Sequence, residues 1–149
     1  MMKFALLILV LLMVAGQAAV RLAPSDIARW HTDPVRGVTG TNSHVAKAYF
    51  PMGSTEALAA FDRVAMAEPR TSRLAGSPEE GRITYVSRSR IWGFPDYTTV
   101  GTVPDGEGVW LNIYARARFG RDDFGVNAAR VERWLSAIPG YDPGPRPVS

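Results

Sequence analysis

The chain has 149 residues, 46% of them hydrophobic, which predicts a single folded domain with its own core. It contains no cysteine and only two histidines, which excludes disulfides, thiol nucleophiles and cysteine-ligated metals, and we expect neither a metal nor another cofactor. The formal net charge is +3, but acidic and basic residues are interspersed and form no basic stripe, so nucleic acid is not an expected partner.

The N-terminus, residues 1–21, has the composition of a membrane segment. An uncharged, mostly aliphatic run extends from Phe4 to Val20 and spans roughly 25 Å as a helix, slightly less than a typical hydrocarbon core. Two interpretations stay open: a retained anchor, or a signal cleaved after the small residues around Gln17. The length of the run and the weak cleavage site favour the anchor. In both cases the positive charge of Lys3 favours placing the rest of the chain on the outer side of the membrane.

Residues 22–44 are predicted to form a juxtamembrane linker. Asp26 is suited to begin a short helix that runs through Trp30, which places this aromatic side chain where it could rest at the membrane interface. Residues 34–43 contain Pro, Gly, Thr and Asn without periodicity, which indicates a loop.

Residues 45–138 carry the pattern of an α+β domain. Apolar residues recur at helical spacing in 54–67, where Ser54 is the expected N-cap, and again in 124–137. Segments of strand character, separated by short connections rich in turn-forming residues, predict antiparallel neighbours. The predicted strands are residues 45–50, 70–75, 82–90, 96–103 and 109–118. We therefore expect an antiparallel sheet of four to five strands covered by two helices, followed by a disordered tail, residues 139–149, rich in Pro and Gly.

Four arginines are the sharpest candidates for a binding site: Arg88, Arg90, Arg116 and Arg118. Alternate residues of a strand share a face, so each Arg-x-Arg pair is expected to point in one direction. Together the guanidinium groups would hold a phosphate, a carboxylate or an anionic lipid headgroup through forked hydrogen bonds. The alternative, which the usual behaviour of strand arginines favours, is a solvated face on which they pair with nearby aspartates.

The segment before the last predicted helix is expected to be structural. Asp122 and Asp123 would accept backbone N–H groups at the helix start, and Asn127 would bond back to the preceding turn. Use of these carboxylates in metal binding or acid–base chemistry is less favoured, because no second acidic cluster accompanies them.

Aromatic residues surround the connection between the third and fourth predicted strands, which Gly93 and Pro95 mark as a turn. Trp92, Phe94 and Tyr97 would fold back over the open end of the core, which we favour. The alternative is that they enter the bilayer or line the mouth of a ligand site.

Three motifs resemble a known bacterial family. They are Ser87-Arg88-Ser89-Arg90, the Gly93-Phe94-Pro95-Asp96 turn, and Arg116-x-Arg118-x-Gly120-x-x-Asp123-x-Gly125-x-Asn127. Together they are similar to the DUF1499 family of proteins of unknown function, over residues 45–138. Asp122 departs from the Ser or Thr expected at its position, which bears on the capping residue and not on the fold. Family members typically carry an N-terminal membrane segment, so the resemblance supports an anchor, but it implies no activity.

We therefore expect a single-pass inner-membrane protein whose domain faces the periplasm, with release into the periplasm after signal cleavage as the alternative. The favoured function is that of a non-enzymatic accessory or interaction domain of the cell envelope. Two alternatives stay open: a domain that binds an anionic or lipidic ligand at the four arginines, and an enzyme with an unrecognised site. No catalytic residue is identified, and the membrane is the one partner that the sequence indicates.

Overall fold

A long exposed helix opens the structure, a computed structural model that describes residues 2–143. This helix, α1, spans Met2–Leu22 and is followed by a short helix, α2 (Ile27–Trp30), and a 3-10 turn (Pro34–Arg36). Five strands and two further helices complete the described part of the chain: β1 Ser43–Phe50, α3 Ser54–Ala67, β2 Thr71–Ser77, β3 Arg82–Arg88, β4 Pro95–Asp105, β5 Gly108–Ala117 and α4 Val126–Ser136.

The five strands form one sheet in the order β1-β5-β4-β3-β2, with antiparallel neighbours throughout. The strands β2 to β5 follow one another as hairpins, while β1 lies on the far side of β5 with Phe50 opposite Val109. The predicted α+β fold, an antiparallel sheet covered by helices, is confirmed. One boundary matters for the site: β3 ends at Arg88, which leaves Arg90 in the following loop rather than on the strand.

Helices α3 and α4 cover one face of the sheet and enclose the main core. The rings of Phe61, Tyr85 and Trp134 contact one another with centroids 5.7 to 6.0 Å apart, and all three side chains are buried. Such ring pairs stabilise a core beyond the area they remove from water. The N-cap of α3 is Gly53, whose backbone is extended, so the prediction of Ser54 as the N-cap is wrong; Ser54 is already the first helical residue.

The segment between α1 and β1 covers the opposite face of the sheet. Trp30 stacks on Tyr97 with ring centroids 3.9 Å apart and is 6% exposed. The prediction that Trp30 rests at the membrane interface is therefore wrong, because Val86 and Tyr97 make this face apolar and Trp30 covers it. Beside it, Nδ1 of His31 lies 2.8 Å from Oγ1 of Thr84, which ties the segment to the sheet.

Helix α1 buries little of its surface against the rest of the chain. The segment Lys3–Leu22 is long and apolar enough to cross a membrane, as an anchor or a cleavable signal would be, and none of its residues is fully buried. Gln17 and Val20 are half-buried where the helix meets the domain. The division into anchor, linker and domain stays a prediction, and the predicted disordered tail, residues 139–149, lies mostly outside the described residues.

Candidate functional site

Arg116 lies on β5 and faces the segment that covers the sheet. Its guanidinium group donates hydrogen bonds to the Trp30 carbonyl at 2.6 Å and to the hydroxyl groups of Thr32 and Thr99 at 3.1 Å. It also lies over the rings of Trp30 and Tyr114, 5.2 and 4.4 Å from their centroids. Burial lowers the pKa of Arg116, but a guanidinium stays protonated in proteins. This side chain therefore fastens the covering segment to the sheet.

Arg118 makes a similar contact just beyond the end of β5. Its Nη1 donates to the Pro24 carbonyl at 2.9 Å and lies 3.4 Å from the Tyr97 hydroxyl. Both arginines of this motif thus bind backbone carbonyls of the covering segment rather than the aspartates expected as their alternative partners. The structure does not bring them to one site with Arg88 and Arg90, since the second pair borders a different cavity.

Arg88 and Arg90 border a cleft of about 380 Å³ on the side of the sheet where α4 packs. The cleft lies between the end of α3, the start of β2, the end of β3 and one side of α4. We call it the arginine cleft, and its lining residues are Glu68, Pro69, Arg70, Ser87, Arg88, Ser89, Arg90, Val126, Ala129, Arg130 and Arg133.

Two arginines of the cleft are paired with carboxylates. Arg133 donates to Glu68 at 2.6 Å, and Arg130 donates to Asp96 at 3.0 Å. The Arg133 contact helps to hold the pKa of Glu68 below its ordinary value, although burial alone would raise it. These two pairs leave little positive charge on the α4 side of the cleft.

The rim opposite α4 carries positive charge without a matching acid. Among the described residues, no carboxylate oxygen lies within 4.0 Å of the guanidinium groups of Arg70, Arg88 and Arg90. Arg70 and Arg90 are exposed, and Arg88 is half-buried. The arginine cleft therefore presents a net excess of guanidinium groups to solvent.

Arg70 holds a strained backbone at this rim. Its φ of 61° is in the left-handed region, which costs a residue other than glycine about 1–3 kcal/mol. Its carbonyl accepts the Arg88 N–H at 3.0 Å, and its Nε donates back to the Arg88 carbonyl at 3.2 Å. This reciprocal pair keeps both arginines at the same edge of the cleft, and strain of this kind clusters at functional sites.

A buried network lies behind the cleft. Arg130 is 8% exposed and donates to Asn127 Oδ1 at 2.9 Å as well as to Asp96 Oδ2 at 3.0 Å. Burial raises the pKa of Asp96, although the charge of Arg130 opposes the shift. Asn127, predicted as a residue of the helix start, is thus also part of the interior that fixes the position of Arg130.

Asp122 and Asp123 lie in the turn before α4, where the sequence analysis places its capping residues. Asp122 accepts the Phe124 N–H at 2.6 Å, and Asp123 accepts those of Gly125 and Asn127 at 3.0 and 3.1 Å. Burial would raise the pKa of Asp123, but the hydrogen bonds from Asn127 and Gly125 outweigh it and hold this pKa below its ordinary value. The N-cap residue of α4 is Gly125, so Asp123 binds the N–H groups of Gly125 and Asn127 from two residues before the cap, where a carboxylate is favoured by the helix dipole.

The aromatic residues of the β3–β4 connection divide between two places. Tyr97 is fully buried beneath Trp30. Trp92 and Phe94 are 45% and 38% exposed and stack on each other with ring centroids 6.4 Å apart. The favoured interpretation, that these rings fold back over the core, describes Tyr97 and does not describe Trp92.

Three arginines of the cleft were not predicted from the sequence: Arg70, Arg130 and Arg133. The i, i+3 spacing of Arg130 and Arg133 puts them on neighbouring turns of α4 and is a signal that could have found them. Arg70 has no comparable local signal, because its position depends on its pairing with Arg88 across two strands.

The fold and the cleft define a small α+β domain behind an apolar N-terminal helix, and a comparison with known families agrees with this class. The family model described as "Protein of unknown function (DUF1499)" matches residues 23–138. The chain therefore belongs to the DUF1499 family. The match begins well before residue 45, so it includes the segment that covers the sheet. No curated protein matches the chain.

Two solved structures are similar to the fold at low sequence identity. An HSP90 activator from Plasmodium falciparum has a TM-score of 0.45 and 8% identity, over 68% of this chain and 98% of its own. A protein from Thermus thermophilus has a TM-score of 0.35 and 10% identity, over 64% of this chain and 90% of its own. Likenesses this distant carry no inference about function.

Proposed function

We propose that this protein is a membrane-anchored envelope domain that binds a ligand bearing a phosphate or carboxylate group in the arginine cleft. Helix α1 holds it in the membrane, and the domain lies on the outer, periplasmic side. The observation that carries the proposal is that Arg70, Arg88 and Arg90 line one cleft and that, within residues 2–143, none of them has a carboxylate partner. An anion in the cleft would provide that partner.

The chemistry of the cleft suits binding rather than catalysis. Guanidinium groups present forked donors that match the oxygens of phosphate and carboxylate. They do not release a proton near neutral pH, so they hold charge but transfer none. The cleft volume of about 380 Å³ lies within the range of small-ligand sites. The proposed role is therefore that of a non-enzymatic accessory domain.

The anchor is supported by the apolar surface of α1 and by the charges at its two ends. Its apolar side chains are exposed over most of its length, which is unfavourable in water and favourable in lipid. Lys3 precedes the apolar run and Arg21 follows it, so both charges lie at its ends.

The test measures anion binding to the full chain in detergent by isothermal titration calorimetry. Two ligands are titrated separately, inorganic phosphate and a short-chain phosphatidylglycerol, because both present the same anionic group. Two variants are compared with the unchanged protein: Arg90→Ala, and Arg70→Gly, which also relieves the positive-φ strain. Loss of one charge-assisted hydrogen bond, about 1.5–3 kcal/mol, corresponds to a loss of affinity of about tenfold or more.

The matched control is Arg36→Ala, since the Arg36 side chain is 86% exposed, is remote in sequence from the arginine cleft and is not among its lining residues. Saturable binding that weakens in the two cleft variants and not in the control supports the proposal. Binding of phosphate alone identifies a soluble anion, and binding of the lipid alone identifies a headgroup. Absence of saturation with both ligands, or equal affinities in all variants, contradicts it.

A further inference from the structure

A cluster of exposed apolar side chains lies at one end of the sheet. We call it the aromatic end, and it consists of Ile91, Trp92, Phe94, Phe119 and Phe124, which are 38% to 90% exposed. The topology brings them together, because β3 ends, β4 begins, β5 ends and α4 begins at this end of the sheet. A monomeric soluble domain rarely exposes so many large apolar side chains side by side.

The aromatic end is in contact with α1. Nε2 of Gln17 donates a hydrogen bond to the Ile91 carbonyl at 2.7 Å. Trp92 and Phe94 line a shared depression with Met13, Gly16, Gln17 and Val20. Since α1 rises about 1.5 Å per residue, Gln17 lies roughly 8 Å from the end of the helix at Leu22. The loop that carries Trp92 therefore reaches down beside the apolar helix rather than standing above it.

This loop, residues 89–94, satisfies many of its polar backbone groups internally. The Ser89 N–H donates to the Phe94 carbonyl at 3.0 Å, and the Gly93 N–H donates to the Ser89 carbonyl at 3.2 Å. The Phe94 N–H donates to Ser89 Oγ at 3.0 Å, and the Gly93 carbonyl accepts from Arg88 Nη1 at 3.0 Å. Internal partners are what backbone groups need in a lipid environment, where water is absent.

The hydrogen bond from Gln17 to this loop also gives polar groups a partner within the protein. A side-chain amide within an apolar membrane helix is costly unless it finds a partner. Gln17 interrupts the otherwise apolar run, and its partner is the carbonyl of the loop. The contact lowers the cost of both polar groups at once. Gly93 allows the close approach, because a Cβ there would lie 2.9 Å from Cγ of Arg21.

Phe124 adds a strained residue to the same surface. Its φ is 51°, a conformation that is unfavourable for a bulky side chain, and its ring is 90% exposed. Burial of the ring in the core does not offset the cost of this strain. Removal of the ring from water by an external apolar phase would offset it.

Basic and acidic side chains are distributed unequally between the two ends of the sheet. Basic side chains outnumber acidic ones around the aromatic end: Arg21, Arg70, Arg88, Arg90, Arg118 and Arg121 surround it, together with Asp122 and Asp123. At the opposite end the turns carry four acids, Glu79, Glu80, Asp105 and Glu107, beside Arg82 at the start of β3. Anionic headgroups attract the first set and repel the second, so this asymmetry favours a bilayer as the occupant of the aromatic end.

We propose that the aromatic end inserts into the outer leaflet beside α1, with its apolar side chains below the headgroups and the flanking arginines among them. The proposal rests on the retained anchor of the proposed function. It goes further by fixing the orientation of the domain: the domain is docked on the bilayer through two contacts and is not tethered loosely by one helix. Docking also turns Arg88 and Arg90 of the arginine cleft towards the headgroup layer.

The test uses the full chain in nanodiscs of phosphatidylcholine and phosphatidylglycerol. Since the chain contains no cysteine, single cysteines introduced as Trp92→Cys and Phe119→Cys can be labelled with an environment-sensitive fluorophore. The matched control is Trp110→Cys, because Trp110 is similarly exposed, at 38%, but lies on β5 near the opposite end of the sheet. Near-ultraviolet circular dichroism checks that each labelled protein keeps its buried aromatic core.

We expect blue-shifted emission at positions 92 and 119, with loss of intensity when the lipids carry spin labels on their acyl chains. The label at position 110 should show aqueous emission and no such loss. Aqueous emission at both 92 and 119, in a folded protein whose mass shows an intact N-terminus, overturns the docking while leaving the anchor standing. A mature protein that lacks residues 1–18 overturns both, since it has lost the anchor and Gln17.

Discussion

Asp123 accepts two backbone N–H groups at the start of α4, and its own N–H donates to the Thr41 carbonyl at 3.1 Å. Its neighbour Asp122 accepts one, from Phe124. The two carboxylates differ in solvent exposure, since Asp123 is half-buried and Asp122 is exposed. The effects of replacing Asp123 and Asp122 on stability can therefore be compared with each other.

Replacement of Asp123 by Ala should destabilise the domain by about 1 kcal/mol at pH 7, because two helix N–H groups lose their acceptor. The pKa of Asp123 is lowered in the folded state from an ordinary value of 3.8. Its contribution is therefore fully present above that value and is lost as the pH falls through the folded-state pKa. Thermal unfolding of the detergent-solubilised chain at pH 7 and at acidic pH measures both effects.

Asp122→Ala is the control for this prediction. We expect a smaller loss of stability at pH 7, since this exposed carboxylate accepts one N–H group near the solvent. Equal losses in the two variants, or a loss at Asp123 that persists unchanged in acid, would show that the ionised Asp123 is not the cap.

At the scale of elements, the segment from α2 to the 3-10 turn depends on Arg116. This one side chain binds the Trp30 carbonyl and the Thr32 hydroxyl and lies over the Trp30 ring. Since Trp30 stacks on Tyr97, the segment acts as a lid on the second face of the sheet. Arg116, one of the four candidates for an external ligand, thus binds the backbone of its own chain.

Arg116→Met should loosen this segment while leaving the main core folded. The loss of charge-assisted hydrogen bonds to a largely buried carbonyl costs about 1–3 kcal/mol. We expect faster amide hydrogen exchange over residues 27–36, measured by mass spectrometry, than in the unchanged protein. Lys47→Met is the control, because exposed Lys47 lies on the adjacent strand β1 opposite Asn112. Unchanged exchange in Arg116→Met would contradict the fastening role.

At the scale of the whole molecule, retention or cleavage of α1 decides whether the domain stays attached to the membrane. We expect the protein in the membrane fraction to retain its N-terminus and to have the mass of the full chain, 16.3 kDa. The physical reason is that the apolar run is long for a signal and its cleavage site is weak. Intact-mass spectrometry of the purified protein measures this directly. A mass lower by the first eighteen or so residues, with the protein in the soluble fraction, would show a cleaved signal.

The element pattern is the part of the fold that sequence reasoning recovered well. The predicted helix over 54–67 coincides with α3, and all five predicted strands exist within a few residues of their expected ends. Hydrophobic periodicity and turn residues are local signals, so they can be read without knowing how the rest of the chain packs. The family resemblance, carried by three motifs, was likewise correct.

The site was recovered only in part, because its members meet across long stretches of chain. Arg88 and Arg90 were identified, but their neighbours Arg130 and Arg133 come from α4 and Arg70 from the start of β2. Alternation along a strand predicted a shared face for Arg88 and Arg90, and it failed because β3 ends at Arg88.

Local patterns in the sequence suffice to predict the apolar N-terminal helix and the two helices and five strands of the domain, because each element depends on residues within a few positions of one another. The partners of the arginines follow instead from the tertiary structure: Arg116 binds a carbonyl 86 residues away, and Arg133 meets Glu68 across 65 residues. Such partners are chosen by how the sheet and helices pack, since a guanidinium group has five N–H donors and can bond to either carbonyl or carboxylate oxygens that the fold brings within reach.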